Sequence, residues 1–235
     1  MQSSLDAYAI KARWLPVAVA VFPIALLTFA VLQLDLGLLT ATPGAAAAIL
    51  MVPAAEIVRS RGLACERRLI EIWDGLPTTR ALRWRNADGR THRRREAVEA
   101  RTGHRLPSAD EESDGAASDL RYADATRTAI SMIRADGRDA PVLQAENASY
   151  GMRRNFRGLK PFGILLAAIS IVGSVAAWLF LQPDPAALLP AFLIQSTILG
   201  FWMVYVKDSW VAEQADTFSD RFFTVLDAQS TSAAR

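Results

Sequence analysis

Apolar positions along this chain gather into long uninterrupted blocks instead of recurring every second or every third to fourth residue. Residues 14–34 read WLPVAVAVFPIALLTFAVLQL, 21 residues without a charge. Residues 162–181, FGILLAAISIVGSVAAWLFL, make a second block of 20, and residues 186–206, AALLPAFLIQSTILGFWMVYV, a third of 21. At 1.5 Å of rise per residue, about 20 helical residues cross the hydrocarbon core of a bilayer. Uncharged runs of this length therefore predict membrane-spanning helices.

A fourth block, LGLLTATPGAAAAILMVPAAEIV at 36–58, is weaker: Pro43 and Gly44 interrupt it and Glu56 adds a charge. By itself it suits a re-entrant or interfacial segment as well as a span. Charge placement favours a span over about 38–58. Residues 59–160 hold 21 of the 26 Lys and Arg residues, and such residues are retained on the cytoplasmic side. Four crossings put both termini and this region in the cytoplasm, and leave two short outer loops free of Lys and Arg. A cleaved signal peptide is the competing reading of the first block, but its apolar stretch exceeds the usual 7–15 residues.

The expected fold is thus an all-α membrane protein of four transmembrane helices, with a mainly helical cytoplasmic domain between helices 2 and 3. Residues 1–58 form the first helix pair, 59–160 the arginine-rich domain, 161–206 the second pair and 207–235 a helical extension and tail. Within the central region, THRRREAVEARTG predicts a helix closing at Gly103. SDLRYADATRTAISMIRADG predicts another, with Tyr122, Thr126, Ala129, Ile130 and Ile133 as its inner stripe. An Asp88–Gly89 hairpin is the alternative for residues 82–92. After the last span, Val211, Ala215, Phe218, Phe222 and Val225 follow one another at spacings of 4, 3, 4 and 3, a short heptad-like seam. It suits packing on the central domain or between subunits.

The formal net charge is only +2, but charge is strongly segregated. Residues 80–105 carry nine arginines against Asp88, Glu96 and Glu99. Guanidinium groups hold phosphate through paired hydrogen bonds, and an aromatic ring can stack on a base. Arg83, Trp84, Arg90, Arg93, Arg94, Arg95, Arg101 and Arg105 are therefore candidate ligands for a phosphate or oligonucleotide; drawn as one helix, Arg90, Arg94, Arg101 and Arg105 share a face. The alternative is a solvated or headgroup-facing arginine surface. Arg153, Arg154, Arg157 and Lys160 precede the third span, as orientation signals and contacts to anionic membrane lipid do.

Polar residues inside the spans are the candidates for an ion path: Gln195, Ser196 and Thr197 near the middle of the fourth span, and Glu56 near the inner end of the second. Interhelical hydrogen bonding is the competing role for the first three. Gly163, Ala167, Ser170, Ser174 and Ala177 make a small-residue stripe suited to close packing.

Catalysis has no constellation to rest on. His92, His104 and Cys65 lack zinc spacing. DEESDG imitates a calcium loop from Asp110, with Gly115 at position six, but Arg121 stands at position twelve where a bidentate Glu is required. Phosphate-loop and serine-elbow motifs are missing. No metal, cofactor or enzymatic activity is expected.

The layout, with the run LPSADEESDG…TRTAISMIRADG…ENASYGMRRNFRGLKPFG, resembles small bacterial membrane proteins of anti-phage defence, and among them the Hailong-type effectors. That resemblance implies a homo-oligomeric ion channel of the inner membrane, a tetramer among the assemblies allowed. It also implies control by a nucleic-acid oligomer that a cytosolic nucleotidyltransferase makes. The alternative is a non-conducting membrane scaffold that recruits a cytosolic partner through residues 59–160.

Overall fold

The computed structural model describes residues 10–32, 43–113 and 115–233. It is all-helical, with no strand among the described residues. A π-helical turn, Ile10–Trp14, leads into α1 (Leu15–Leu32). There follow α2 (Pro43–Ile72), the short α3 (Pro77–Arg80), α4 (Thr91–Thr102), α5 (Gly115–Asp136) and α6 (Ala140–Phe180). α7 (Pro185–Gly200) runs into a second π turn, Phe201–Tyr205, and α8 is Asp208–Ala233.

Three stretches are long and apolar enough to cross a bilayer: Lys11–Leu32, within Ala140–Phe180, and Pro185–Tyr205. Of their most apolar windows only 28%, 28% and 22% is buried in the protein. Leu165, Ile169, Val172, Leu179, Leu189 and Leu193 all face outward. Exposed apolar surface on this scale is what lipid covers and water does not tolerate. The 41-residue α6 is about 60 Å long, twice the hydrocarbon thickness, so only part of it can be membrane-embedded. The expected second span, about 38–58, falls partly outside the described residues; from Pro43 the chain is helical and continues as α2 to Ile72.

The chain divides into two compact units. One comprises Met1–Glu66 and Gly151–Val211, the other Arg67–Tyr150 and Ala212–Arg235. The 59–160 segment thus contributes to both.

The first unit is cored by Val17, Ala20, Val58, Phe156, Leu159, Trp202 and Val206. Glycine sets the approach of α2 to α6. A Cβ on Gly158 would lie 2.7 Å from the backbone of Arg61, and one on Gly62 would lie 1.8 Å from Asn155 Oδ1. Gly163 leaves room for the Trp202 indole in the same way. α7 begins at Pro185, where Asp184 accepts the Ala186 N–H at 2.9 Å; proline at this position lacks only a donor that would have no helical partner.

The second unit has its own core, with Leu82, Val98, Leu106, Tyr122, Ile133, Leu143, Phe222 and Leu226 among its buried residues. α4 closes at Gly103, whose φ of 70° puts it in the left-handed region that ends helices. The Asp88–Gly89 pair forms no hairpin. Asp88 instead accepts the Arg90 N–H at 2.9 Å and the Thr91 hydroxyl at 3.0 Å, opening α4. These two hydrogen bonds, backbone first, hold its carboxyl below the ordinary value of 3.8. On α5, Tyr122, Thr126, Ala129 and Ile133 are buried and Ile130 is half-buried, so the inner stripe is as the spacing predicts. Of the seam, Ala215, Phe222 and Val225 are buried and Phe218 packs against this core. Those four serve the chain's own helical unit.

Candidate functional site

The arginine block divides by environment. Arg83 is 1% exposed. Its Nε donates to Asp119 Oδ1 at 2.8 Å, a second nitrogen donates to Asp119 Oδ2, and Nη1 reaches Asp74 Oδ2 at 3.1 Å. Gly75, at φ 109°, makes room for it: a Cβ there would sit 2.8 Å from Arg83 Nη2. Asp119, near the start of α5, is thus a partner for a buried cation as well as a charge placed favourably on the helix dipole.

Arg95 is 5% exposed and lies inside the unit. Nη1 donates to the Leu82 carbonyl at 2.6 Å and to Tyr122 Oη at 2.9 Å, and Nη2 donates to the Pro107 carbonyl. Its guanidinium lies 4.3 Å from the centroid of the Trp84 ring. The Trp84 indole donates to the same Pro107 carbonyl at 3.2 Å, and its backbone N–H to Glu112 Oε2 at 2.6 Å. Tyr122 passes the chain on, donating to Glu112 Oε2 at 3.2 Å. Burial pushes the Tyr122 phenol up, against the opposing pull of Arg95, so it stays a neutral donor. Arg83, Arg95 and Trp84 therefore hold the fold together and offer no free phosphate-binding edge.

The others lie further out. Arg94, with 11% of its side chain exposed, contacts Asp220 at 3.3 Å and Asp88 at 3.5 Å and covers the Phe223 ring. Arg101 is paired with Asp136. Arg90 and Arg93 are exposed, with carboxylates only at 3.7 and 3.9 Å, and Arg105 is exposed as well. The single helical face expected for Arg90, Arg94, Arg101 and Arg105 does not form. Arg90 precedes α4, and Arg105 lies beyond its Gly103 stop. The structure brings together an exposed trio, Arg90, Arg93 and Arg105, only in the loose sense that all three border α4.

Each cation of the juxtamembrane run has a partner within the first unit. Arg153 donates to the Trp210 carbonyl at 2.9 Å and lies over its ring. Arg154 donates to Glu66 at 2.7 Å, with side chains only 12% and 18% exposed. Arg157 Nε reaches Asp208 at 2.6 Å. Lys160 donates to the carbonyls of Met203 and Val206 at 3.1 and 2.8 Å, satisfying acceptors where the last apolar helix ends.

Of the polar membrane residues, Gln195 turns into its own protomer, whereas Thr197 and Glu56 are exposed. Gln195 is fully buried; its Oε1 accepts from Ser174 Oγ at 2.9 Å and its Nε2 donates to the Pro23 carbonyl at 3.3 Å. Ser196 and Thr197 donate back to the Phe192 and Leu193 carbonyls. Glu56 is exposed, 3.7 Å from both Arg13 and Arg59. Among the described residues no group of His, Cys, Asp and Glu side chains could hold a metal ion.

The helical unit also contains a cavity of about 330 Å³ that the arginine pattern does not reveal, bordered by α3, α5, the start of α6, and α8. Its signal in the sequence is the second face of α5: Ala123, Arg127, Ile130 and Arg134, at helical spacing beside the buried stripe.

Compared with protein-family models, with curated proteins and with solved structures, the chain finds no match.

Proposed function

We propose that the protein is an effector of the bacterial inner membrane: its apolar helices are the output element and its helical unit the input. In the full reading the chain crosses the bilayer four times, both termini lie in the cytoplasm, and the helical unit answers a nucleotide or oligonucleotide signal in anti-phage defence. The observation that carries it is the presence, in one chain, of three span-length helices with outward apolar faces and a second unit with its own core. Arg90, Arg93 and Arg105 supply that unit's exposed phosphate-seeking charge.

As an ion channel, the protein works only as a homo-oligomer, a tetramer among the candidates. Gln195 is consumed inside one protomer, and Ser196 and Thr197 donate to carbonyls of their own helix, so a water path needs several copies around an axis. The Hailong-type resemblance agrees with this arrangement and with a cytosolic nucleotidyltransferase as the source of the signal. A specific observation favours a second reading, a non-conducting scaffold: Gln195, a polar residue at the middle of α7, makes interhelical hydrogen bonds and so does not itself face a pore.

Purified protein in anionic liposomes, assayed for potassium flux with and without a short single-stranded DNA oligomer, tests both. A flux that changes with the oligomer supports the channel. Oligomer capture without flux in either condition supports the scaffold. The absence of both flux and capture would contradict the input role of the helical unit. Captured oligomer should be released steeply by salt, because phosphate contacts displace counterions.

A further inference from the structure

The cavity in the helical unit combines features that a packing defect lacks. Its volume, about 330 Å³, falls at the lower end of the range for small-molecule sites. Leu76, Ile130 and Phe218 give it an apolar wall, and Tyr150 adds a second aromatic ring to that of Phe218. Two charged residues line it, Arg127 and Arg134, and no carboxylate does. They stand seven residues apart on α5, on the same face and about 10 Å apart along the axis, with Ile130 and Ser131 between them. Among the described residues Arg134 is without an ion pair. Arg127 has only Asp124 at 3.8 Å, with 79% and 59% of the two side chains exposed, a contact that water screens.

The remaining observation is inside. Thr126 is 4% exposed, lines the cavity, and its hydroxyl has no hydrogen-bond partner. Buried hydroxyls are nearly always satisfied; this one is closed to water as the side chain stands, and a turn about its Cα–Cβ bond would bring it to a ligand atom. The Asn147 side chain is a further polar group in the lining.

We infer that this cavity is a binding site for a phosphate ester that carries a planar ring system, of nucleoside-monophosphate size. The ring system lies against the apolar and aromatic wall, where flat aromatic surfaces pack well. The phosphate sits at the mouth between Arg127 and Arg134, whose guanidinium groups match it through paired hydrogen bonds. Thr126 and Asn147 read polar atoms of the body. The site is separate from residues 80–105, and it rests on the reading that the helical unit answers a nucleotide signal.

The test uses the full chain in lipid nanodiscs and equilibrium dialysis with radiolabelled AMP. Wild type should bind AMP saturably, and adenosine or inorganic phosphate alone should bind about tenfold or more weakly, since each lacks half of the contacts. Arg134→Ala should weaken AMP binding by about tenfold, the loss of one charged hydrogen-bonded contact. Thr126→Val keeps the side-chain volume and should weaken it by a few-fold at least. Arg221→Ala, exposed and outside the cavity, should leave it unchanged. No saturable AMP binding by wild type would overturn the assignment, as would wild-type affinity in a folded Arg127→Ala/Arg134→Ala double variant. If AMP fails to bind while DNA oligomer is still captured, the cavity assignment falls and the proposed function stands.

Discussion

Two segments of this chain look alike in composition and differ in what their cations do. In the run 153–160, four cations on one helix all reach partners elsewhere in the first unit, through Glu66, Asp208 and backbone carbonyls. In the block 80–105 the roles diverge within a few residues. Arg95 is an interior strut, Arg94 beside it is a partly buried pair, and Arg93 projects into solvent. Local arginine density therefore reports neither function nor exposure. What decides is whether the next element brings a carbonyl, carboxylate or ring within reach. Once a guanidinium is buried it must find a carboxylate, carbonyl or hydroxyl partner, because an unpaired buried charge is prohibitively costly.

Substitutions at the two segments sharpen the contrast. Arg95→Ala should be the most damaging. It strips partners from two carbonyls and from Tyr122, and opens space beside Trp84, for a loss of about 3 kcal/mol. Pulse proteolysis in urea, with the protein in detergent, measures it; a loss comparable to that of the exposed control Arg93→Ala, within about 0.5 kcal/mol of wild type, would show that Arg95 is not an interior strut. Arg154→Ala should cost less, about 1–2 kcal/mol, because Glu66 keeps some access to water after its partner is gone. A double-mutant cycle with Glu66→Gln should recover most of that loss as coupling; additive effects would mean the pair contributes little.

The smallest effect concerns Asp88. Its depressed pKa means that the carboxylate stabilises the folded state above its unfolded value, and that this contribution disappears as pH falls through the lower folded value. The amide resonances of Arg90 and Thr91 should therefore titrate together, with a midpoint below 3.8. A midpoint at or above the ordinary value would mean that the Asp88 carboxylate does not hold the turn that leads into α4.

Much of the fold was readable from run lengths and spacing. The three uncharged blocks appear as span-length helices because composition alone commits them to lipid. Gly103 stops α4 because a left-handed residue is needed there, and the apolar seam after Val211 finds its own unit because its period matches a helix face. The second span was argued from charge asymmetry, and the first part of it lies outside the described residues. The site was less legible. Arg83 and Arg95 are indistinguishable from their neighbours in sequence because their partners lie 9 to 36 residues away. The partners of Arg153, Arg154 and Arg157 lie 51 to 88 residues away. In sequence Gln195 suits a pore residue and an interhelical bridge equally, and its hydrogen bonds to Ser174 and Pro23 separate the two within a protomer. The cavity escaped because Arg127 and Arg134, each isolated in sequence, do not form a cluster until α5 is wound.

The proposed role depends on the helical unit facing the cytoplasm while the α6–α7 turn faces outward, and one labelling experiment tests both. In a Cys65→Ser background, single cysteines replace the exposed residues Ala109 and Ala186, and intact cells made permeable only at the outer membrane are treated with an impermeant maleimide. The expected result is labelling of Ala186→Cys at once and of Ala109→Cys only after the inner membrane is opened. Labelling of Ala109→Cys in sealed cells would place the helical unit outside and contradict the account.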